Sequence, residues 1–468
     1  MHHKSGRLKS GALLAYASPA IPIAAMGVPV AIYLPPFYAQ DMGLGLTVVG
    51  VVFMLARIWD VITDPVLGVL SDRFPSRWGR RRHWIALSVP IMVLAAWKLF
   101  LPNPDDVTAF YLITWMLIMY IAWTLLSVSH MAWGAELSPQ YHERSRIQGV
   151  REIAILIGAI GVLGLPAVIE QFNPDNVGAA RMASMGWFVI ILLPLTVLWA
   201  VTKVGERPNH HETPHVSLLA SWEIIRHNAE MRKILIGGMF TGVSVGITGG
   251  LFLFYASDIL QLGQLSSAFL LLNFASGIAI VPIVISISGR FSKHAMLCGC
   301  VFLYALSLNL LWFLPPQSPL LTALTMMIMG IYMGSPAFLL RSMAADVIDE
   351  DTIKTGHNRT GLFFAIYSMT DKIGNAIAIG FTYIVLDAIG FAPGEVNTAE
   401  DITEFKILFI VPSLILNLII VKTMINFPID KIRQQKNQQI LKDRASTHVS
   451  TSPESRTSLS YVTEESRP

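Results

Sequence analysis

Arg57-Ile58-Trp59-Asp60-Val61-Ile62-Thr63-Asp64-Pro65 sits inside an otherwise apolar run, with Leu46-Thr47-Val48-Val49-Gly50-Val51-Val52-Phe53-Met54-Leu55-Ala56 before it and Val66-Leu67-Gly68-Val69-Leu70 after it. At ~20 residues per crossing, the run is long enough to span a bilayer as a helix. A carboxylate at mid-helix costs roughly 2.5–3.5 kcal/mol on the insertion scale, so two of them need a reason. At i and i+4 both project from one helical face. That face reads as a cation site with Asp60 and Asp64 as ligands. The competing reading is an internal ion pair with Arg57, which at i, i+3 from Asp60 neutralises one aspartate and not both.

Composition extends the membrane reading to the whole chain. Of 468 residues, 53% are hydrophobic and 14% charged, where a soluble chain carries about a quarter charged. Apolar blocks fall near 11–38, 46–70, 84–101, 108–134, 150–170, 182–203, 232–257, 264–287, 295–314, 319–341, 361–388 and 404–426. The expectation is an all-α, multi-pass membrane protein with twelve transmembrane helices, its lipid bilayer a partner. The net charge of +3 marks no nucleic-acid surface. Cys298 and Cys300 lie ~200° apart on a helix and cannot pair with each other. The basic start, Lys4 to Lys9, followed by Ala15-Tyr16-Ala17, imitates a signal peptide, but its apolar run fits an uncleaved first helix.

Basic residues alternate between connections. Segment 71–83 carries Arg73, Arg77, Arg80, Arg81 and Arg82; segment 135–151 carries Arg144, Arg146 and Arg151. Segments 39–45, 102–107, 258–263, 315–318 and 389–403 carry no Lys or Arg. By the positive-inside rule both termini are cytoplasmic, with the protein in the plasma (inner) membrane. The longest internal connection divides the spans six and six. It gives a first bundle over 1–203, a linker over 204–231 with a surface helix near 218–226, a second bundle over 232–427, and a polar tail over 428–468 that reads as disordered. Echoes link the halves: Gly134-Ala135-Glu136 with Ala344-Ala345-Asp346, and Gly79-Arg80-Arg81-Arg82 with Gly289-Arg290 and Lys293. Related halves fit a transporter with its site between them near the midplane.

After span 2, Gly68 and Asp72 share a face and Arg73, Arg80 and Arg81 follow. Glycine permits close helix approach, and the arginines can hold the carboxylate, forming a cytoplasmic latch with a partner loop around Arg359. The competing reading is simple positive-inside topology.

Arg57-Ile58-Trp59-Asp60, Asp64-Pro65, Gly68 and Trp78-Gly79-Arg80-Arg81-Arg82-His83-Trp84 together resemble the signature of the glycoside–pentoside–hexuronide:cation symporters of the major facilitator superfamily. The resemblance covers all twelve spans in layout and is dense over 46–90. It implies two six-helix bundles and a cation, H+ or Na+, at Asp60 and Asp64, coupled to uptake of a small solute; with Na+ the aspartates are its metal ligands. It also implies that Arg151 faces the solute and that Lys372 lies near both sites. For Lys372 the other reading is pairing with a helix-2 aspartate; for Arg151 it is an interfacial position.

The chain departs from the sugar transporters of that family in two places. Span 1 has no acid over 11–40, and Ser127 stands where they place an aspartate. His130, nearby, either binds solute or proton or is a structural hydrogen-bonder. Losing two acids while keeping Arg151 and Lys372 makes the cavity more positive, so a hexuronide, another organic anion or an apolar solute joins a neutral sugar as candidate. No nucleophile constellation, phosphate loop or metal cluster is legible, so no enzyme activity and no resident cofactor is expected. A monomer is expected. Two alternatives are a lysolipid carrier of the same fold and a non-transporting membrane sensor.

Overall fold

The computed structural model describes residues 8–74, 76–138, 140–172, 177–206, 225–288, 291–356 and 359–450. They form helices α1 (Ser10–Asp41), α2 (Leu46–Arg73), α3 (Arg82–Phe100), α4 (Ala109–Glu136), α5 (Tyr141–Ile169), α6 (Val177–Lys203), α7 (Ala229–Ile259), α8 (Ser266–Ser288), α9 (Lys293–Phe313), α10 (Pro319–Thr355), α11 (Thr360–Ala388) and α12 (Ala399–Met424). Eleven of these are long and apolar enough to cross a membrane. The remaining one, α11, is 29 residues long and carries Asp371 and Lys372 at its centre, which places its polar groups inside the protein rather than in lipid.

Proline shapes α1. Pro29 and Pro36 each lack an N–H, and the backbone widens into π-helical turns at Pro29–Tyr33 and Phe37–Asp41. A third such turn, Tyr255–Ile259, ends α7. These ends expose a sequence echo: Phe37-Tyr38-Ala39-Gln40-Asp41 matches Phe254-Tyr255-Ala256-Ser257-Asp258. Tyr38 donates its hydroxyl hydrogen bond to the Leu99 carbonyl of α3 at 3.0 Å, and Tyr255 donates to the Leu311 carbonyl of α9 at 2.5 Å. The first helix of each half is therefore braced to the third helix of that half at the same point.

The halves meet through three helix pairs, α2 with α11, α5 with α8 and α1 with α7. Their bonds gather at the end bearing the weakly basic connections. Thr47 donates to Asp387 at 2.6 Å, Tyr33 donates to Ser267 at 3.0 Å, and Arg181 pairs with Glu170 at 2.7 Å while donating to Ser266 at 3.1 Å. Between α2 and α11 the backbones touch: a Cβ at Gly50 would lie 2.8 Å from Tyr383 Cβ and 3.1 Å from the Gly380 carbonyl oxygen.

At the arginine-rich end the ion pairs stay within one half. Arg80 and Arg81 reach Glu136 at the end of α4 at 2.5 and 3.2 Å, and Lys293 reaches Asp346 on α10 at 2.6 Å. The Glu136 and Asp346 echo read in the sequence thus becomes two equivalent braces. The tail departs from the disorder its composition implies. Residues Lys431–Ser450 form helix α13, docked by Arg433 to Glu350 at 2.5 Å and by Gln434 to Asp346 at 2.7 Å. Asp346 and Glu350 on α10, already paired with Lys293 and Lys354, also give that polar segment an electrostatic partner that composition alone does not reveal. The linker helix expected near 218–226 falls mostly outside the described residues, which resume at Ile225.

Gly50→Val inserts side-chain atoms where two backbones touch. Over-packing of this kind costs about 1–3 kcal/mol, so the purified variant should melt several degrees below wild type. An unchanged melting temperature would show that the halves do not meet there in solution.

Candidate functional site

Asp60 and Asp64 lie one turn apart on α2, which runs 28 residues, about 42 Å at 1.5 Å per residue. Both carboxylates face α11 and α4. Pro65, next in sequence, has no N–H to give the Val61 carbonyl, so the backbone is locally unpaired beside the acids.

Lys372 of α11 holds both. Its Nζ donates to Asp60 Oδ2 at 2.8 Å and to Asp64 Oδ2 at 2.5 Å. From α4, buried Thr124 brings Oγ1 to 3.1 Å from Asp60 Oδ1 and 2.9 Å from Asp64 Oδ1. One hydroxyl carries one proton, so Thr124 fully serves only one of those oxygens. The other is satisfied when a carboxyl carries a proton or when a cation sits among the three groups. Arg57 stands further off, 3.9 Å from Asp60 Oδ2, its guanidinium 5.4 Å from the Tyr120 ring centroid. The Arg57 pairing foreseen as an alternative is thus secondary. The neutralising charge is Lys372, arriving from the other half of the molecule.

The side chain of Asp60 is 6% exposed, while those of Asp64 and Lys372 are 33% and 28% exposed. All three lie where α2 and α4 of the first half meet α11 of the second. The arrangement can exchange one cation for another: an ammonium for a metal ion or proton. Four carboxylate oxygens and one hydroxyl oxygen make an all-oxygen donor set, of the kind that suits a hard cation. A cavity of about 740 Å³ lined by Tyr33, Phe37, Asp41, Arg181 and Gln261 lies elsewhere, at the end where the halves are bonded together. It holds none of these acids.

The other foreseen residues scatter. Arg151 of α5 makes a 3.1 Å pair with the adjacent Glu152. Ser127 hydrogen-bonds the Thr124 carbonyl of its own helix at 3.4 Å. His130 is fully buried between α1 and α4, its Nε2 2.7 Å from the Tyr16 carbonyl oxygen and its ring stacked on Tyr16 at 4.7 Å. Of its two readings, this geometry is that of the structural hydrogen-bonder.

The latch also differs from its expectation. Arg80 and Arg81 meet Glu136, Arg81 donates to Ser71 Oγ at 2.8 Å, and Glu206 accepts the Arg80, Arg81 and Arg82 backbone N–H groups. Gly79, at φ +122°, leaves room for the Glu206 carboxylate that a Cβ would displace. Arg73 is exposed, and the Asp72 side chain lies outside the described residues. Arg359 forms a bidentate pair with Asp351 at 3.0 Å within its own half. The structure therefore does not bring Arg359 to the α2–α3 loop; in this conformation each basic loop finds a nearer acid in its own half. A Cβ at Gly68 would sit 3.9 Å from Val128, an ordinary contact, so no close approach depends on that glycine.

The sequence reading passes over Thr124, which touches both acids, and over the charges Asp371 and Arg341 of the second half. Threonine is common on membrane helices and carries no signal alone. Asp371 and Arg341 are charges inside apolar spans, the same signal that exposed Asp60.

A family model described as MFS/sugar transport protein matches residues 15–431. The chain is 24% identical over 388 residues to the putative glycoside/cation symporter YagG of Escherichia coli K12, covering 81% of this chain and 83% of that one. It is 22% identical over 509 residues to the sodium-dependent lysophosphatidylcholine symporter 1-B of Danio rerio, covering 98% and 95%. In fold it resembles the nucleoside transporter NupG (D323A mutant), with TM-score 0.69, 13% identity, and 88% and 100% coverage.

Removing the ammonium leaves the two carboxylates with Thr124 and, for Asp60 alone, the Arg57 guanidinium 3.9 Å away. Lys372→Met should lower stability by about 2–3 kcal/mol, less than the ~3–5 of a fully buried pair because Asp64 is a third exposed. Lowering the pH or adding Na+ should restore it in a melting assay; a variant as stable as wild type in K+ at neutral pH would refute the pairing.

Proposed function

We propose, from the premise that this chain belongs to the MFS/sugar transport protein family, that it is a secondary active symporter coupling H+ or Na+ at Asp60 and Asp64 to uptake of a small organic solute. The observation that carries the reading is the Lys372 ammonium spanning both aspartates from the opposite half. A cation that takes its place frees the two halves from one another at that level. Rocking of the bundles then becomes dependent on cation occupancy. The halves remain bonded at the Thr47–Asp387 and Gly50–Gly380 end, which supports an arrangement whose solute space opens toward the arginine-rich end.

In this reading the arginine-rich end is cytoplasmic, with both termini on that side of the plasma (inner) membrane. The protein acts as a monomer in the bilayer and catalyses no covalent change. Arg80 and Arg81 with Glu136 brace the first bundle, and Arg359 with Asp351 and Lys293 with Asp346 brace the second, so that each moves as a body. Arg151 and Lys372 border the solute space. A second reading, carriage of a lysolipid, is favoured by the near full-length match to the lysophosphatidylcholine symporter and by an α1 without acids over 11–40.

The test is a melting assay of purified protein in Na+ against K+ across pH, for wild type and Asp64→Asn. A bound cation at about 100 times its Kd adds ~2.7 kcal/mol. Wild type should be stabilised by Na+ or by protonation, and Asp64→Asn should lose that response while remaining folded. Equal behaviour of wild type and variant in every condition would refute the coupling site.

A further inference from the structure

At the end bearing the weakly basic connections, α1, α6 and the end of α5 meet the first turn of α8. Glu170 follows α5 with its side chain 0% exposed, and Arg181 of α6 pairs with it at 2.7 Å. The Glu170 carboxylate accepts the Ser267 backbone N–H at 3.2 Å and the Ser267 hydroxyl as well. That N–H belongs to the first turn of a helix, where it has no partner within α8. Tyr33 of α1 donates to the same serine oxygen at 3.0 Å. Arg181 also donates to Ser266 Oγ at 3.1 Å and to the Gly263 carbonyl at 3.4 Å, and Gln171 donates to the Gln264 carbonyl at 3.0 Å. Tyr33, Glu170 and Ser267 are all buried.

The level of this network follows from α1. A Cβ at Gly27 would lie 3.7 Å from Trp123, the neighbour in sequence of the Thr124 that touches both aspartates. Tyr33 comes six residues later, about 9 Å at 1.5 Å per residue. The cavity of about 740 Å³ begins there, taking Tyr33, Phe37 and Asp41 from α1, Arg181 from α6 and Ser266 from α8. Just beneath it the halves close on one another: a Cβ at Gly249 of α7 would lie 3.5 Å from Ile32 Cγ1. The network therefore stands between the aspartates and that cavity.

Its chemistry differs from that of the Lys372 joint. There, opposite charges lie in opposite halves, so parting the halves strands both. Here the ion pair lies wholly within the first half, and serine hydroxyls, a backbone N–H and carbonyls answer it from the second. Parting the halves at this level leaves Glu170 with Arg181 and avoids the cost of breaking a buried pair. We infer that Glu170, Arg181, Tyr33 and Ser267 form the outer gate of the solute path, a lock that an already neutral ion pair closes on α8, and that its strength does not depend on the cation at Asp60 and Asp64. The inference rests on the symporter reading above and adds the element that seals the end remote from the arginine-rich loops.

The experiment uses the full-length chain carrying Cys298→Ala, Cys300→Ala and Ile32→Cys, which puts a single thiol beneath the gate. A charged, membrane-impermeant maleimide is applied to intact cells and separately to inside-out vesicles, in Na+ and in K+. From outside, labelling should be slow in this background and rise about tenfold with Ser267→Ala or Glu170→Gln, as expected for loss of a charge-assisted hydrogen bond. The factor should be the same in Na+ and in K+. Ser267→Ala keeps the ion pair, so its effect does not come from a stranded buried charge. An unchanged rate in both variants overturns the gate, as does a rise seen only in inside-out vesicles. A factor that differs between Na+ and K+ overturns its independence from the cation. The melting response to Na+ or pH that Asp64→Asn removes should survive in Ser267→Ala; its loss there would make the network part of the cation site and overturn the proposal. Absence of that response from the wild type overturns the symporter reading and not the lock, which labelling reads by itself.

Discussion

Two carboxylates one turn apart within a bilayer cannot both stay ionised without a cation between them, and much of this molecule is arranged around supplying one. Lys372 does so from the opposite bundle. A lysine on a neighbouring helix of the same bundle would neutralise the acids equally well but would make them a fixed structural feature. Because the charge comes from across the interface, neutralising the acids and joining the halves are one event. Any ion that competes with the ammonium competes with the joint.

That joint is asymmetric along the membrane normal. From Lys372 to the Thr47–Asp387 end, α2 and α11 are held by charge, by hydrogen bonds and by glycine-mediated backbone contact. At the other end, the basic loops are satisfied within their own bundles, by Glu136 and Glu206 in the first and by Asp346 and Asp351 in the second. Each bundle is thus internally braced at the end where the bundles are least joined to one another. Movement between them there would leave those internal bonds intact.

The sequence makes the acids legible because their cost in a membrane is large and their spacing is helical. Apolar length makes eleven of the twelve helices legible, α11 being diluted by Asp371 and Lys372. Lys372 was open between two roles, and pairing with the aspartates is the one the geometry displays. Thr124 was invisible because a threonine on an apolar helix is unremarked until its oxygen is seen between two carboxylates. The arginines after α2 announced an acidic partner but not which one: Glu136 lies 55 residues from Arg81 and Glu206 lies 125, and nothing local selects between them and Asp72. His130 was open between two roles because polarity in a span reads the same whether the ring faces a solute or a tyrosine. The Phe-Tyr-Ala-x-Asp echo, by contrast, stood in plain view at the ends of α1 and α7.

The distance in sequence between the aspartates and their lysine has a consequence for biogenesis. Lys372 follows Asp60 by 312 residues. At a synthesis rate of ~5–20 residues per second, α2 leaves the ribosome roughly 15–60 s before its counter-charge exists. Arg57 relieves one carboxylate in that interval. The other waits for the ammonium, so the first bundle is made before the charge that joins it to the second.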